Sequence, residues 1–144
     1  MNKQIYPEPT VDALILNEKK EVLLCKSPKF NNKFIISGGH IEIGETFEQA
    51  LKREIKEETG LEIELVKFVA FYNAIYPKDF FEKRHFIFFD FLCSVKDENK
   101  IRLDNKELTE FLWIGPKKAL EELDLEIYTR KLIEKYLEGE KGNV

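Results

Sequence analysis

The sequence has little of what marks several classes of protein. Its two cysteines, Cys25 and Cys93, stand far apart on predicted strands without the close pairing of a zinc or redox motif, so we expect buried, reduced thiols. It has no apolar run of the roughly 20 residues that a membrane-spanning helix needs, and no basic start followed by an apolar segment. We therefore expect a cytoplasmic protein with no membrane partner.

An excess of basic residues is also missing. The chain has 23 Lys and Arg against 27 Asp and Glu, which gives a net charge of −4. Proteins that bind nucleic acid usually present a basic surface, so we expect no stable nucleic-acid partner. Apolar residues, in contrast, make up 43% of the 144 positions and include twelve Phe, enough for the core of one domain spanning residues 1–144.

The segment from Gly39 to Leu61 contains the clearest helix signal. Thr46 followed three residues later by Gln49 matches a capping box, and Gly60 stands where a helix needs a left-handed closing residue. The sequence thus predicts a helix over Phe47–Thr59. At about 100° per residue, its apolar residues share one side, which we expect to be buried: Phe47, Ala50, Leu51 and Ile55.

Three carboxylates fall on that same apolar side of the predicted helix. Glu54, Glu57 and Glu58 are spaced so that they can reach a common point. Their mutual repulsion and desolvation would be costly without a positive partner, and hard oxygen ligands of this kind suit Mg²⁺ or Mn²⁺. The helical wheel alone leaves an alternative open, namely a glutamate-rich helix whose charges all reach water.

Glycines precede the helix. Gly38, Gly39 and Gly44 predict a loop in which the backbone can approach a metal ion or phosphate closely. His40 lies between them at a position that more often belongs to the surface than to catalysis.

The residues of this segment match a known motif. Gly39 is followed after five residues by Glu45, and after seven more by the run REIKEETGL from Arg53 to Leu61. The pattern resembles the Nudix box and is complete at every defining position, although Ser37 stands where many Nudix sequences have proline. The resemblance implies an α/β fold, an α/β/α sandwich with a mixed central sheet. It also implies hydrolysis of a nucleoside diphosphate linked to another moiety.

The resemblance further implies roles for the box residues. Glu54, Glu57 and Glu58, joined by the carbonyl of Gly39, would bind Mg²⁺, with Mn²⁺ as an alternative, and Arg53 would orient a box carboxylate, with Glu45 the expected partner. The proton of the attacking water would go to a box glutamate or to a carboxylate outside the box. Two residues are candidates for the latter role, although both lie in an acidic run that also suits an exposed surface: Glu107 and Glu110.

A looser resemblance concerns the substrate. Residues 37–39, 107–113, 124–126 and 129–131 are similar to bacterial Nudix enzymes that hydrolyse nucleoside triphosphates, especially pyrimidine deoxynucleotides. An ADP-ribose, nucleotide-sugar or dinucleoside polyphosphate pyrophosphatase is the alternative within the enzyme class. A non-catalytic module that binds nucleotide or RNA is a further alternative, but such a module would have no reason to keep three carboxylates on its apolar face. Some relatives pair through sheet edges or helices, so a homodimer is also expected as one outcome.

Substrate contacts need aromatic rings and cations near the cleft. Lys26 ends a predicted strand upstream of the glycines, where the resemblance implies a position near phosphate or metal. Arg84 and His85 open another predicted strand and are candidates for phosphate or base contacts. The rings that are candidates for stacking on a base are Phe30, Phe34, Tyr72 and Tyr76.

Apolar runs predict the remaining elements. A hairpin is expected from strands 11–16 and 21–26, followed by strands 61–68, 69–76, 84–95 and 111–114. The run 84–95 is apolar on both faces, as in a central strand, except for Asp90. Asp12 is expected on the solvent face of its strand.

Helices are expected from Pro116 and over 125–137, where Leu125, Tyr128, Leu132 and Tyr136 would pack into the core. Residues 1–9 and the tail from Glu138 are expected to be loose.

Overall fold

The apolar runs of the sequence form the strands of one mixed sheet. The computed structural model describes residues 4–142. Within this range the strands are β1 (Glu8–Leu16), β2 (Val22–Ser27), β3 (Lys33–Ile35), β4 (Ser37–His40), β5 (Ile63–Ile75), β6 (His85–Val95) and β7 (Glu110–Ile114). The helices are α1 (Phe47–Thr59), α2 (Pro116–Glu122) and α3 (Ile127–Gly142), with 3₁₀ turns at Pro28–Phe30 and Glu98–Lys100.

Strand β6 lies in the interior of the sheet, as its apolar sequence predicts. The strand order is β3-β2-β1-β6-β5, and β4 and β7 pair with β1 and β2 respectively. β6 runs parallel to β1 and antiparallel to β5, whereas β1 is antiparallel to β2 and β4. The parallel pairing of β1 and β6 makes the sheet mixed, and it sets residues of the two strands side by side from Glu8–Phe86 to Leu16–Ser94.

The core lies on both faces of this sheet. Because successive strand residues point to opposite faces, Val11 and Ala13 of β1 pack with Leu51 and Ile55 of α1. Leu14, from the same strand, packs on the other side with residues of α2 and α3, namely Ala119, Leu132 and Ile133. Helices therefore cover the sheet on both faces, which confirms the predicted α/β/α sandwich.

Helix α1 has the ends that its sequence predicts. The Thr46 hydroxyl accepts from the Gln49 N–H, and the Gln49 side chain accepts in return from the Thr46 N–H. Gly60 closes the helix in the left-handed region at φ 76°, where a side chain would be strained. On the predicted apolar face Ala50, Leu51 and Ile55 are buried, but Phe47 is 44% exposed, because it lies in the first turn and only partly covers Phe89 and Phe91.

Several segments differ from the predicted ones. The two strands predicted over 61–68 and 69–76 are the single strand β5, Ile63–Ile75, because two register shifts against β6 bend it without breaking the pairing. Gly38 and Gly39 lie in β4 rather than in a loop, since they pair with Asp12 and Val11 of β1.

The two ends of the chain are more ordered than predicted over the part that the structure describes. β1 already begins at Glu8, in register with Phe86, and α3 continues to Gly142 instead of ending near Glu138. Leu125 is buried but precedes α3. Residues 1–3, 143 and 144 of the expected loose ends lie outside the described range.

Cys25 and Cys93 are buried and free, and burial raises the pKa of each thiol to about 12. Among residues 4–142 no helix combines the length and the apolar character needed to cross a membrane.

The close approach of β4 to β1 predicts a large effect of one methyl group. A Cβ at Gly38 would overlap the Val11 carbonyl oxygen and the Asp12 Cα, both on the backbone. We expect Gly38→Ala to lower the free energy of unfolding by roughly 1–3 kcal/mol, measured by urea denaturation. Gly139→Ala is the control, because nothing lies near a Cβ there and alanine favours a helix by up to about 1 kcal/mol. Equal stability of the two variants would contradict this account of β4.

Candidate active site

Arg53 of α1 holds several carboxylates together. Its Nε and Nη2 donate to the two carboxylate oxygens of Glu45 at 2.6 and 2.8 Å. Its Nη1 donates to Glu54 at 2.9 Å and to Glu57 at 3.3 Å, and Nη2 also donates to the carbonyl oxygen of His40 at 3.0 Å. The Arg53 guanidinium is the main cause that lowers the pKa of Glu45 to about 2. Arg53 therefore ties α1 to the loop before it and to the end of β4.

The three box glutamates differ in exposure. Side-chain exposure is 59% for Glu57 but 15% for Glu54. Glu58 is buried, at 8% exposure. The predicted common burial of the three is thus wrong for Glu57, which lies at the edge of the apolar face and whose side chain stays largely in solvent beside Arg53.

Glu58 is held by Ser37, the residue that stands where proline is frequent. The Ser37 hydroxyl donates to Glu58 Oε1 at 2.5 Å, and both residues are buried. Burial, with smaller contributions from nearby Glu54 and Glu107, raises the pKa of Glu58 to about 8, although the Ser37 hydrogen bond acts in the opposite direction. Ser37 thus supplies a donor to a carboxylate that the fold desolvates, which proline could not do.

These side chains line a cleft with two connected compartments. The outer compartment, with an empty volume of about 930 Å³ that includes open solvent, is lined by Gly39, His40, Glu54 and Glu57 among others. The inner compartment, with an empty volume of about 560 Å³ that also includes open solvent, is lined by Asp90, Glu126, Tyr128 and others. The two compartments adjoin at the passage, the name used here for the six residues that belong to both linings: Asp12, Phe30, Gly38, Glu58, Phe88 and Glu107.

The outer compartment has the oxygen ligands that a divalent cation needs. Glu54, Glu57 and Glu58 all line it, and burial raises the pKa of Glu54, a cost that a bound cation would remove. As arranged here, Glu54 and Glu57 both turn to Arg53, and no group of three or more His, Cys, Asp or Glu side chains in residues 4–142 converges as an ion site. The donor chemistry fits Mg²⁺ or Mn²⁺, but these side chains would have to turn to ligate it.

Two of the site residues that the sequence predicts outside the box lie in the cleft. Phe30 lines both compartments and packs edge-on against Phe80, with ring centroids 4.9 Å apart. Glu107 also lines both, and it accepts from the Lys29 ammonium at 2.7 Å.

The other predicted residues are not brought to the cleft. Glu110 is exposed at the start of β7, 3.6 Å from the Lys26 ammonium, and Lys26 lies over the Phe34 ring. Phe34 packs against the α3 side of the core. The remaining four make other contacts. The ring of Tyr72 packs against that of Tyr128, and the exposed ring of Tyr76 lies beneath the Lys83 ammonium. Arg84 donates hydrogen bonds to Glu8, and His85 is hydrogen-bonded to Asn73.

The position of Asp12 differs from the prediction that it lies on the solvent face of its strand. Its side chain faces the cleft rather than bulk solvent and accepts from the Thr10 hydroxyl at 3.0 Å. It is in register with Asp90 of β6, which is 3% exposed. Burial raises the pKa of Asp12 to about 7, and burial together with Asp12 raises that of Asp90 well above its usual value. The only signal in the sequence was a polar residue in each of two apolar strands.

Glu126, which the sequence did not single out as a site residue, completes the inner compartment. It is 3% exposed and precedes α3, where its Oε1 accepts from the N–H groups of Tyr128 and Thr129 at 3.0 Å each. Burial raises its pKa in spite of these hydrogen bonds. Hydrophobic periodicity could not reveal that Glu126 faces the compartment, because this polar residue precedes α3 and lies in no strand.

Similarity to known proteins agrees with this geometry. The family model of the NUDIX domain matches residues 6–136. The nucleoside triphosphatase NudI of Enterobacter sp. (strain 638) is 35% identical over 131 residues, covering 84% of this chain and 91% of that protein. NudI of Escherichia coli (strain K12) is 33% identical over 135 residues, with 86% and 93% coverage. Among solved structures, a MutT protein from Methanosarcina mazei Go1 has a TM-score of 0.77 at 26% identity, covering 96% of this chain and 99% of that one.

The buried acids predict how stability depends on pH without metal. The pKa of Glu58 rises on folding from 4.5 to about 8, so the folded state binds the proton more tightly than the unfolded chain. The stability that this proton contributes is fully present below the pKa of Glu58 in the unfolded chain. It is lost as the pH rises through the pKa of Glu58 in the folded protein. We expect the free energy of unfolding to fall between about pH 4.5 and 8, and to fall less in Glu58→Gln, as measured by urea denaturation with chelator. Glu18→Gln, at an exposed turn, should keep the wild-type dependence; a Glu58→Gln curve parallel to the wild type would contradict the assignment.

Proposed function

The chain belongs to the Nudix hydrolase family, and we propose that its substrate is a nucleoside triphosphate, which it hydrolyses to a nucleoside monophosphate and pyrophosphate. The observation that carries this proposal is the connected cleft: an outer compartment lined by the box carboxylates opens into an inner one with aromatic walls. Such a cleft suits a ligand with a polyphosphate at one end and a planar ring at the other. The relatives named nucleoside triphosphatase NudI support the same substrate class.

The box residues would hold the cation in this proposal. Glu54, Glu57 and Glu58, with the carbonyl of Gly39, would ligate Mg²⁺ or Mn²⁺. When bound, the ion supplies charge neutralisation for the phosphates and lowers the pKa of the attacking water. Gly39 has no side chain at a point where a Cβ would overlap the Glu54 carboxylate.

Other residues would keep these ligands in place. Arg53 restrains Glu45 and Glu54 through charge-assisted hydrogen bonds. Ser37 fixes one oxygen of Glu58 and leaves the other free to ligate. These contacts reduce the freedom that the carboxylates would lose on binding.

The proton of the water would go to a box glutamate or to Glu107. Glu107 lies at the passage between the compartments, and Lys29 restrains its carboxylate. Glu110 is not proposed for this role, because it pairs with Lys26 away from the cleft. A cytoplasmic location, the absence of a stable nucleic-acid partner and a homodimer stay predictions.

The first test removes ligand charge without changing size. Glu54→Gln and Glu58→Gln should each reduce Mg²⁺-dependent hydrolysis by on the order of a hundredfold or more, because an amide is a poorer cation ligand than a carboxylate. Turnover would be measured on a panel of nucleotides with identification of products, and circular dichroism would check the fold, with Glu18→Gln as the exposed control. Near-normal hydrolysis by either variant would contradict the role of that glutamate. If AMP and ribose phosphate were the preferred products, the substrate would be ADP-ribose rather than a nucleoside triphosphate.

The second test separates the two carboxylates outside the box. Glu107 lines the cleft and Glu110 does not, although they are three residues apart in one acidic segment. We expect Glu107→Gln to lower kcat by roughly tenfold or more and Glu110→Gln to leave it within about twofold of wild type. Equal effects of the two changes, measured at saturating Mg²⁺, would remove Glu107 from the mechanism.

A further inference from the structure

The inner compartment has the walls of a site for a flat ring. Phe88 of β6 and Tyr128 of α3 meet edge to face, with ring centroids 5.5 Å apart, and Phe30 lies at the passage to the outer compartment. Ile35 and Ile36 add apolar surface. Aromatic and aliphatic walls of this kind favour the faces of a planar heterocycle and leave its polar edge to be recognised by a few groups.

One acceptor atom in this compartment is left without a partner. Glu126 is 3% exposed, and its Oε1 accepts from two N–H groups at the start of α3. Its Oε2 is buried and has no hydrogen-bond partner within residues 4–142. A buried acceptor without a donor destabilises the protein, and a ligand that donates to Oε2 would remove that cost.

The charged side chains of the rest of the lining are all acidic, and its side-chain donors are the hydroxyls of Ser27, Tyr128 and Thr129. Asp12 and Asp90 stand side by side within electrostatic reach of Glu126. No Lys, Arg, His, Asn or Gln occurs among the described residues that line the inner compartment. A phosphate would therefore find no cation in this compartment, whereas an amino group could donate to the free oxygen of Glu126.

We propose that Glu126 selects the base of the nucleotide, its free oxygen accepting a hydrogen bond from an exocyclic amino group such as that of cytosine or adenine. The keto counterparts, uracil and hypoxanthine, present a carbonyl oxygen at the same ring position, and Glu126 disfavours them. This inference rests on the proposed function, and it deepens it by naming the class of base.

The experiment compares bases that differ at this one position. The wild type, Glu126→Gln and Glu134→Gln would be assayed for kcat/KM on dCTP against dUTP and on dATP against dITP. Binding of the four corresponding monophosphates would be measured by calorimetry without metal. In Glu126→Gln the amide oxygen can still accept from Tyr128 and Thr129, while its NH₂ replaces the free acceptor with a donor. Glu134 is exposed on α3 and serves as the matched control.

The expected result is a preference of the wild type for the amino member of the better-used pair, on the order of ten- to a hundredfold. Glu126→Gln should abolish or reverse this preference in both assays, and Glu134→Gln should retain it. A wild type without preference, a preference for the keto base, or a Glu126→Gln protein with the wild-type ratio would each overturn the inference. If Glu126→Gln does not fold, the wild-type ratios alone decide.

The two assays keep this inference apart from the proposed function. Triphosphate hydrolysis with no discrimination between amino and keto bases would overturn the role of Glu126 and leave the hydrolase activity intact. Discrimination in monophosphate binding without hydrolysis of any triphosphate would support Glu126 and contradict the proposed reaction.

Discussion

The guanidinium of Arg53 holds together carboxylates that would otherwise repel one another at the edge of the core. It donates to Glu45, Glu54 and Glu57 and to the backbone at His40, so one side chain joins α1, the preceding loop and β4. Without it, the acidic side of α1 could not lie against the sheet, because partly desolvated anions need a positive partner. Divalent cations would take over part of this role when they bind, and the arginine would then serve to orient the carboxylates that do not ligate.

A second constraint lies in how β1 is paired. It is antiparallel to the short strand β4 on one stretch of its backbone and parallel to β6 on its other edge. The glycines of β4 allow the close approach, which brings Asp12 beside Gly38 and in register with Asp90. The same pairing that builds the sheet thus places Asp12 and Gly38 where the two compartments adjoin, together with Glu58, which Ser37 holds by its hydroxyl.

Much of the fold and part of the site could be predicted from the sequence. The bounds of α1, its capping box, the Arg53–Glu45 pair and the central place of β6 are as expected. Of the seven residues proposed from the sequence for substrate contacts, only Phe30 lines the cleft. Aromatic and basic residues near the glycines in sequence, such as Phe34 and Lys26, were used instead for the core and for an ion pair with Glu110.

The sequence by itself determined the helix with its carboxylates, because caps, the 3.6-residue period and the spacing of the box all act within one short segment. Only the tertiary structure decided how far each carboxylate is buried, since Glu57 stays exposed whereas Glu58 is buried against Ser37 of β4. It also decided that Asp12, Asp90 and Glu126 share one compartment. These three come from distant parts of the chain, and strand register and the docking of α3 bring them together only once the whole core is packed.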